Sequence, residues 1–430
     1  MVAKGSGTSS QKRAGVRKIL KRPAGKFKPF PAPKRGKGRA ALKRPAVKKT
    51  KAWENVPYTR QPAEVDPTGL RMDRHVWKRS MVDLLKASDK EIINMLLQDG
   101  LLTSWEGKLC PRCGEGTLSK AKIDVGGVPK HRCNRFRCQV YINPHHLHPL
   151  FTDGNGSGST SLRIQAALLL LKLNKLSHPV IHRLLGINHK SIELMEKKFC
   201  DLRKRWVEHQ EKGINFGGGP KWCDVEADET TFDRKDLKAL APDKNLPIVW
   251  EQWCGLVKRG DPKSLVLKRL VPRMSEKRAP GPGAIRKVEW APLAKTYLQD
   301  KQVILHTDAA KTYKMHIPGV VHDNVIHAKK RVKINGKWRW QNPSYVRIVT
   351  HKVPGVKKPI KCKAGTQIID RAWKFLKDRL PLNQNCKVGS AALRAKLRSA
   401  QYEYWHKNDD LWLATGVLCS WEMVKFQLRP

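Results

Sequence analysis

Three acidic residues sit in segments that each read as a strand or a helix: Asp228 in VEADETTF, Asp308 in VILHTDAAKTY and Asp370 in GTQIIDRAWKFLK. The run Val303–Thr307, VILHT, is short and opens with three apolar residues, which fits a buried strand rather than a helix or a surface loop. One acid at the end of such a run is ordinarily a cap or a turn residue. Three of them, on a first strand, a later central strand and a C-terminal helix, constrain the chain far more. From residue 221 onward the pattern alternates in the α/β manner. Residues 221–232 read as a strand, and 249–258 with 264–271 as a hairpin over Arg259-Gly260-Asp261-Pro262. A helix at 288–298, the strand Val303–Thr307, a helical turn at 309–313 and a strand at 324–328 follow. Asn335-Gly336 is the strongest short hairpin signal in the chain, and residues 367–380 read as a helix. Long basic inserts, 233–247 and 272–287, interrupt this domain.

Charge narrows the class of partner. Across 430 residues, 86 Lys and Arg face 37 Asp and Glu, a formal +49 that would repel itself without a polyanion to screen it. The first 50 residues hold 17 of the cations and no acid, with LKRPAG at 20–25 returning as LKRPAV at 42–47. Residues 1–52 are therefore expected to be a disordered basic tail, unable to bury enough apolar surface to order itself. Its basic clusters suit nuclear import, a sequence-independent DNA tether, or both, which places the protein in the nucleus. No apolar stretch approaches the ~20 residues that span a bilayer, so no membrane is expected. Six of ten cysteines (Cys200, Cys223, Cys254, Cys362, Cys386 and Cys419) are scattered without a disulfide framework, as in a reducing compartment.

The other four cysteines are not scattered. Cys110-Pro-Arg-Cys113 runs into Gly114, and Cys133 and Cys138 follow after a polar hairpin-like stretch. Two thiolate pairs on two tight turns are what tetrahedral Zn²⁺ needs, so residues 86–150 read as a zinc ribbon with a leading helix at 88–102, capped by Ser88 and Glu91. The second pair is spaced by four residues between its cysteines where two is commoner, which keeps His131 and His145 as substitutes. Beyond a Gly/Ser linker at 152–160, residues 160–212 read as a helix-turn-helix. Its helices lie at 162–173, 179–185 and 188–199, around Leu185-Gly186-Ile187 and with Asn188 as an N-cap. His189, Lys190 and Ser191 at the start of the last helix would face a major groove; a plain structural helical hairpin fits the pattern equally well.

The three acids suit two hard divalent cations, Mg²⁺ or Mn²⁺, about 3.5–4 Å apart, one activating the attacking oxygen and the other steadying the leaving oxygen. Period-two alternation puts Asp224, Glu226 and Asp228 on one side of their strand. Helical spacing puts Trp373, Lys374 and Lys377 on the side of Asp370, where they suit a DNA backbone or a base stack. In the basic hairpin KKRVKINGKWRWQNP, Trp338 and Trp340 interleaved with cations suit a single-strand end, although lysines also guard an edge hairpin against aggregation.

With these motifs in place, the chain from about residue 89 to 409 resembles the DDE transposases of the Merlin superfamily and their bacterial insertion-sequence relatives. The resemblance rests on the zinc ribbon, the helix pair, VEADET, HTDAAKTY, His327, the third acid ahead of Trp373 and Lys377, and the closing AQYEYWHKND. It implies an RNase H-like transposase core over residues 220–412, with 413–430 as a C-terminal extension. It also implies double-stranded DNA as partner, through terminal inverted repeats and target, and assembly as a homodimer or higher synaptic oligomer. Asp228, Asp308 and Asp370 become catalytic metal ligands, and His327 aligns with a motif histidine. The family pattern carries Glu at the third position with Asn three residues before it, where this chain has Asp370 and Gln367. Aspartate holds its carboxylate one methylene further back. Two readings therefore stand: an active strand transferase, or a domesticated, catalytically inactive, sequence-specific DNA-binding descendant. A structural chromatin protein would require neither the triad nor the ribbon.

Overall fold

The structure is a computed structural model that describes residues 55–60, 76–123, 129–153, 160–237, 248–276, 280–380 and 387–427. The expected basic tail, 1–52, lies outside these residues, as do most of the Gly/Ser linker and parts of both inserts. Among the described residues the fold is mixed α/β. The N-terminal portion holds α1 (Met81–Lys86), α2 (Asp89–Gln98), the small strands β1 (Lys122–Ile123), β2 (Pro129–Arg132) and β3 (Tyr141–Ile142), then α3 (Leu162–Leu173), α4 (His178–Leu185) and α5 (His189–Gln210). Capping boxes start α1 at Ser80 and α2 at Ser88, the latter with Glu91 as read from the sequence. Gly186, in the left-handed region at φ 64°, closes α4, and the Asn188 side chain caps α5. Helix α5 runs eleven residues past the expected end at 199, because Leu202 and Val207 continue its buried stripe.

The second portion is built on one sheet. Its strands are β4 (Cys223–Asp236), β5 (Ile248–Lys258), β6 (Val266–Arg269), β7 (Arg273–Ser275), β8 (Val303–Thr307) and β9 (Val320–Asn324), with α6 (Lys287–Tyr297) between β7 and β8. The order is β6-β5-β4-β8-β9, with β7 also on β5; β4, β5 and β6 are antiparallel neighbours, whereas β8 and β9 run parallel to β4. The ninth strand ends at Asn324, where the expected strand at 324–328 was to begin. Two ribbons follow, β10 (Lys330–Ile334) with β11 (Lys337–Gln341), and β12 (Arg347–His351) with β13 (Ile360–Ala364), before α7 (Gln367–Asp378), α8 (Ala391–Trp405) and α9 (Leu411–Gln427). The first ribbon turns at Asn335-Gly336, both at positive φ, as the sequence pair dictates.

Two cores cover the two faces of the sheet. Val225, Ala227, Cys254, Leu256, Val303 and Leu305 pack on Trp290 and Ala294 of α6. Alternate residues, among them Trp253, Val257 and Leu267, pack on α7 and α8 and continue into the core of α1 to α5. Helix α9 joins that core: Trp412 donates its indole N–H to Asp99, and Ser420 donates to the Gly100 carbonyl. No helix among the described residues is long and apolar enough to cross a membrane.

Candidate active site and metal centres

Period-two alternation on β4 settles the geometry of the acids. With Cys223, Val225 and Ala227 facing α6, residues Asp224, Glu226 and Asp228 face α7. The parallel register pairs Glu226 with His306, two residues short of Asp228 and Asp308, so these two aspartates leave adjacent strands abreast. Helix α7 crosses that face and contributes Asp370 from its first turn.

Three acids in a row on a buried strand face would be costly unless each were compensated. Asp224 accepts from Arg60 Nε at 2.7 Å and from His306 Nε2 at 3.0 Å. Burial opposes its charged form, but His306 and Arg60 outweigh burial and hold the carboxyl below its ordinary range. Glu226 is fully buried and accepts four hydrogen bonds: from Arg259 Nε and Tyr58 O–H at 2.7 Å each, and from the Ile368 and Ile369 N–H groups at 2.7 and 2.9 Å. It thereby caps the N-terminus of α7, whose orphan amides and positive dipole end favour an anion. Arg259 also donates to the Lys363, Gly365 and Tyr58 carbonyls and stacks 4.0 Å from the Tyr58 ring. The sequence reading placed Arg259 in an ordinary turn; it is 2% exposed and holds the strand, the ribbon β12–β13 and α7 together.

Asp228 differs. Among the described residues it forms no ion pair and accepts one hydrogen bond, from the Trp373 indole N–H at 3.0 Å. Burial, reinforced by Glu229, Asp370 and Asp308, pushes its carboxyl well above the ordinary range. Asp370 is raised in the same direction by burial, and Glu226 and Asp308 add to it; its Oδ2 accepts from Thr366 Oγ1 at 3.1 Å. Asp308 Oδ1 accepts from the Ala310 N–H at 2.9 Å. His327 lies beside Asp370, its Nε2 3.5 Å from Thr366 Oγ1 and its ring tilted against Tyr345. On the opposite face of β4, Glu229 accepts from the Tyr313 hydroxyl and the Ile285 N–H and is raised by burial. The structure thus brings together all three sequence-selected aspartates. Each keeps one oxygen held by a donor, and their mutual repulsion would be relieved by a cation. They do not converge as tightly as the cysteine cluster does, in which all ligand atoms lie within 4.8 Å of one another.

Trp373 is a correction. The expectation put it on an exposed face with Lys374 and Lys377, available to stack on a base. It is 4% exposed and edge-on to Phe232, and it covers Gly255, where an added Cβ would lie 2.6 Å from the indole ring. Its indole N–H donates to Asp228 Oδ2. Lys374 and Lys377 are exposed, and Lys377 donates to Thr230 Oγ1 at 2.8 Å. On the hairpin, Trp338 and Trp340 are 60% and 69% exposed, with the Arg331 guanidinium 5.4 Å over the Trp338 ring. His189 and Lys190 are exposed at the start of α5, and Ser191 is half-buried.

Cys110, Cys113, Cys133 and Cys138 form a cluster that could hold a metal ion. The Cys110–Cys138 and Cys113–Cys133 sulfur separations are both 3.8 Å. A tetrahedron with metal–sulfur bonds of ~2.3 Å has edges of about 3.8 Å, so the thiols already stand at ligand spacing. Gly114, at φ 70°, folds the first knuckle back, its N–H donating to the Cys110 carbonyl. The Glu115 and Gly116 N–H groups pull the Cys113 thiol down to about 6. The four-residue gap of the second pair is accommodated, and neither histidine substitutes: His131 Nδ1 is 2.8 Å from the Ser119 carbonyl, and His145 faces Asp153.

Comparison with protein families, curated proteins and solved structures finds no match to this chain.

Proposed function

We propose that the protein is a DDE-type transposase, binding terminal inverted repeats and carrying out metal-dependent hydrolysis and strand transfer at DNA phosphodiesters. The observation that carries this reading is the unbalanced acid. Of three carboxylates on one face of β4, the two buried ones, Asp224 and Glu226, are neutralised by arginines. Asp228 is left with an indole N–H and with Asp308 and Asp370 beside it. The sheet order, three antiparallel strands followed by two parallel ones and then an acid-bearing helix, supports an RNase H-like core. All-oxygen donors with spare lone pairs fit Mg²⁺ or Mn²⁺. When bound, such ions would supply an activated water and charge stabilisation at the leaving oxygen.

The protein's own groups orient the site. The Trp373 N–H, the Ala310 N–H and the Thr366 hydroxyl each hold one oxygen of Asp228, Asp308 and Asp370 respectively. Glu226 fixes the start of α7, so the shorter reach of Asp370 is set by a helix that cannot drift. Lys374, Lys377 and the exposed indoles of Trp338 and Trp340 offer charge and stacking surfaces to a DNA strand. The α4–α5 pair, with His189, Lys190 and Ser191 leading α5, is the module we assign to inverted-repeat recognition. The four cysteines fit structural Zn²⁺.

The test incubates the protein with Mg²⁺ or Mn²⁺ and DNA carrying the inverted repeats that flank its gene, beside Asp308→Asn. End nicking that disappears in the variant supports the enzyme. Repeat-specific binding without cleavage in either metal refutes catalysis and leaves the DNA-binding descendant.

A further inference from the structure

A second group of metal-binding donors lies four residues back along β4, under the ribbon β12–β13. His306 stands between two carboxylates, Nε2 at 3.0 Å from Asp224 Oδ1 and Nδ1 at 2.8 Å from Asp323 Oδ1. Carboxylate oxygens only accept, so both ring nitrogens carry protons in this arrangement. His351 Nε2 holds the other oxygen of Asp323 at 2.8 Å, and Arg60 holds the other oxygen of Asp224. The remaining member, the thiol of Cys362, is held only by a long S–H donation to Asp323 Oδ2 among the described residues. Its sulfur is fully buried, 3.9 Å from Asp323 Oδ2, and within 4.8 Å of the ligand atoms of both Asp224 and His306. A thiol is a poor hydrogen-bonding partner for a carboxylate, and an apolar side chain would fill its space at less cost.

We propose that Asp224, His306 and Cys362 form a buried binding site for a thiophilic divalent ion, zinc first, separate from both the four-cysteine cluster and the aspartate triad. A carboxylate, an imidazole and a thiolate select zinc over magnesium. Asp323 then serves as the outer carboxylate on Nδ1–H, oriented in turn by His351, which is the usual support of a metal-bound histidine. The charge balances without rearrangement. Binding one M²⁺ releases two protons, one from His306 Nε2 and one from the Cys362 thiol, so the formal charge of the buried group is the same with and without the ion. The Arg60–Asp224 and His306 Nδ1–Asp323 contacts can persist in both forms, whereas the Cys362 S–H donation to Asp323 is given up with the thiol proton. The site fastens β4, β8 and β13 together and does not depend on the transposase reading.

The test is metal content of the full-length protein purified with zinc present and passed over a weak chelator. Two zinc equivalents per chain are expected, falling to one in Cys362→Ser. One equivalent in the unsubstituted protein, or two retained in Cys362→Ser, overturns the proposal. Should Cys362→Ser fail to fold, zinc X-ray absorption of the unsubstituted protein decides. An average of about 2.5 sulfur ligands per zinc is expected for one four-thiolate and one single-thiolate site, whereas about four sulfurs overturns it.

Discussion

Glu226→Gln is the sharpest perturbation of this fold, because it keeps the volume of the side chain and changes only its donors and charge. Glu226 Oε1 accepts from Arg259 and Tyr58, and Oε2 from the Ile368 and Ile369 amides. All four partners are donors. Glutamine has one acceptor oxygen, so whichever way the amide turns, its NH₂ faces two donors and orphans both. An unsatisfied buried donor costs about 1–3 kcal/mol. In addition Arg259, at 2% exposure, loses the carboxylate it is paired with while keeping its carbonyl partners. Breaking a buried pair from one side costs about 3–5 kcal/mol, a sum that already contains much of the orphaned-donor penalty. The expected loss is therefore about 3–5 kcal/mol. Urea unfolding followed by tryptophan fluorescence reads it as a lowered midpoint at unchanged slope. Exposed Glu193→Gln, the control, should shift stability by no more than about 0.5 kcal/mol. A loss below about 1 kcal/mol for Glu226→Gln would refute the idea that this carboxylate caps α7 and balances Arg259.

Three other outcomes follow from the geometry. In metal-free protein, the carboxyls of Asp228, Glu229 and Asp370 hold their protons more tightly folded than unfolded, so the stability they lend is fully present at acid pH. That contribution is lost as pH rises above the ordinary carboxylate range through the raised values; Asp228→Asn should flatten the slope and raise the melting temperature at neutral pH, and an unchanged slope would refute it. Gly255→Ala pushes a methyl to 2.6 Å from Trp373, which should cost about 1–3 kcal/mol and reduce nicking by displacing the N–H from Asp228; full activity with unchanged melting would show that α7 yields freely. Trp338→Ala with Trp340→Ala should leave melting unchanged and weaken single-strand binding by about 1–3 kcal/mol per stacked base, measured by fluorescence anisotropy; equal affinity would reduce the hairpin to a guarded edge.

Much of this protein is local and therefore legible in its sequence. The Ser88–Glu91 capping box, the Asn335-Gly336 turn, the bounds of Leu162–Leu173 and Val303–Thr307, and the cysteine knuckles follow from hydrogen bonds and backbone preferences within a few residues. Period-two alternation on β4 likewise determined that Asp224, Glu226 and Asp228 share a face. It could not determine that their environments diverge, since the groups that separate them arrive from 33 to 168 positions away: Arg259 and Tyr58 for Glu226, Arg60 and His306 for Asp224, Trp373 alone for Asp228. The same holds for Trp373, whose helical position matches an exposed lysine face until Gly255 opens a slot beneath it, and for Cys362, a solitary thiol until the ribbon lays it against Asp224 and His306. Periodicity fixes which way a side chain points along its own element, whereas charge compensation is a property of contacts between elements. Only the packed sheet and helices decide which acid is left without a cationic partner.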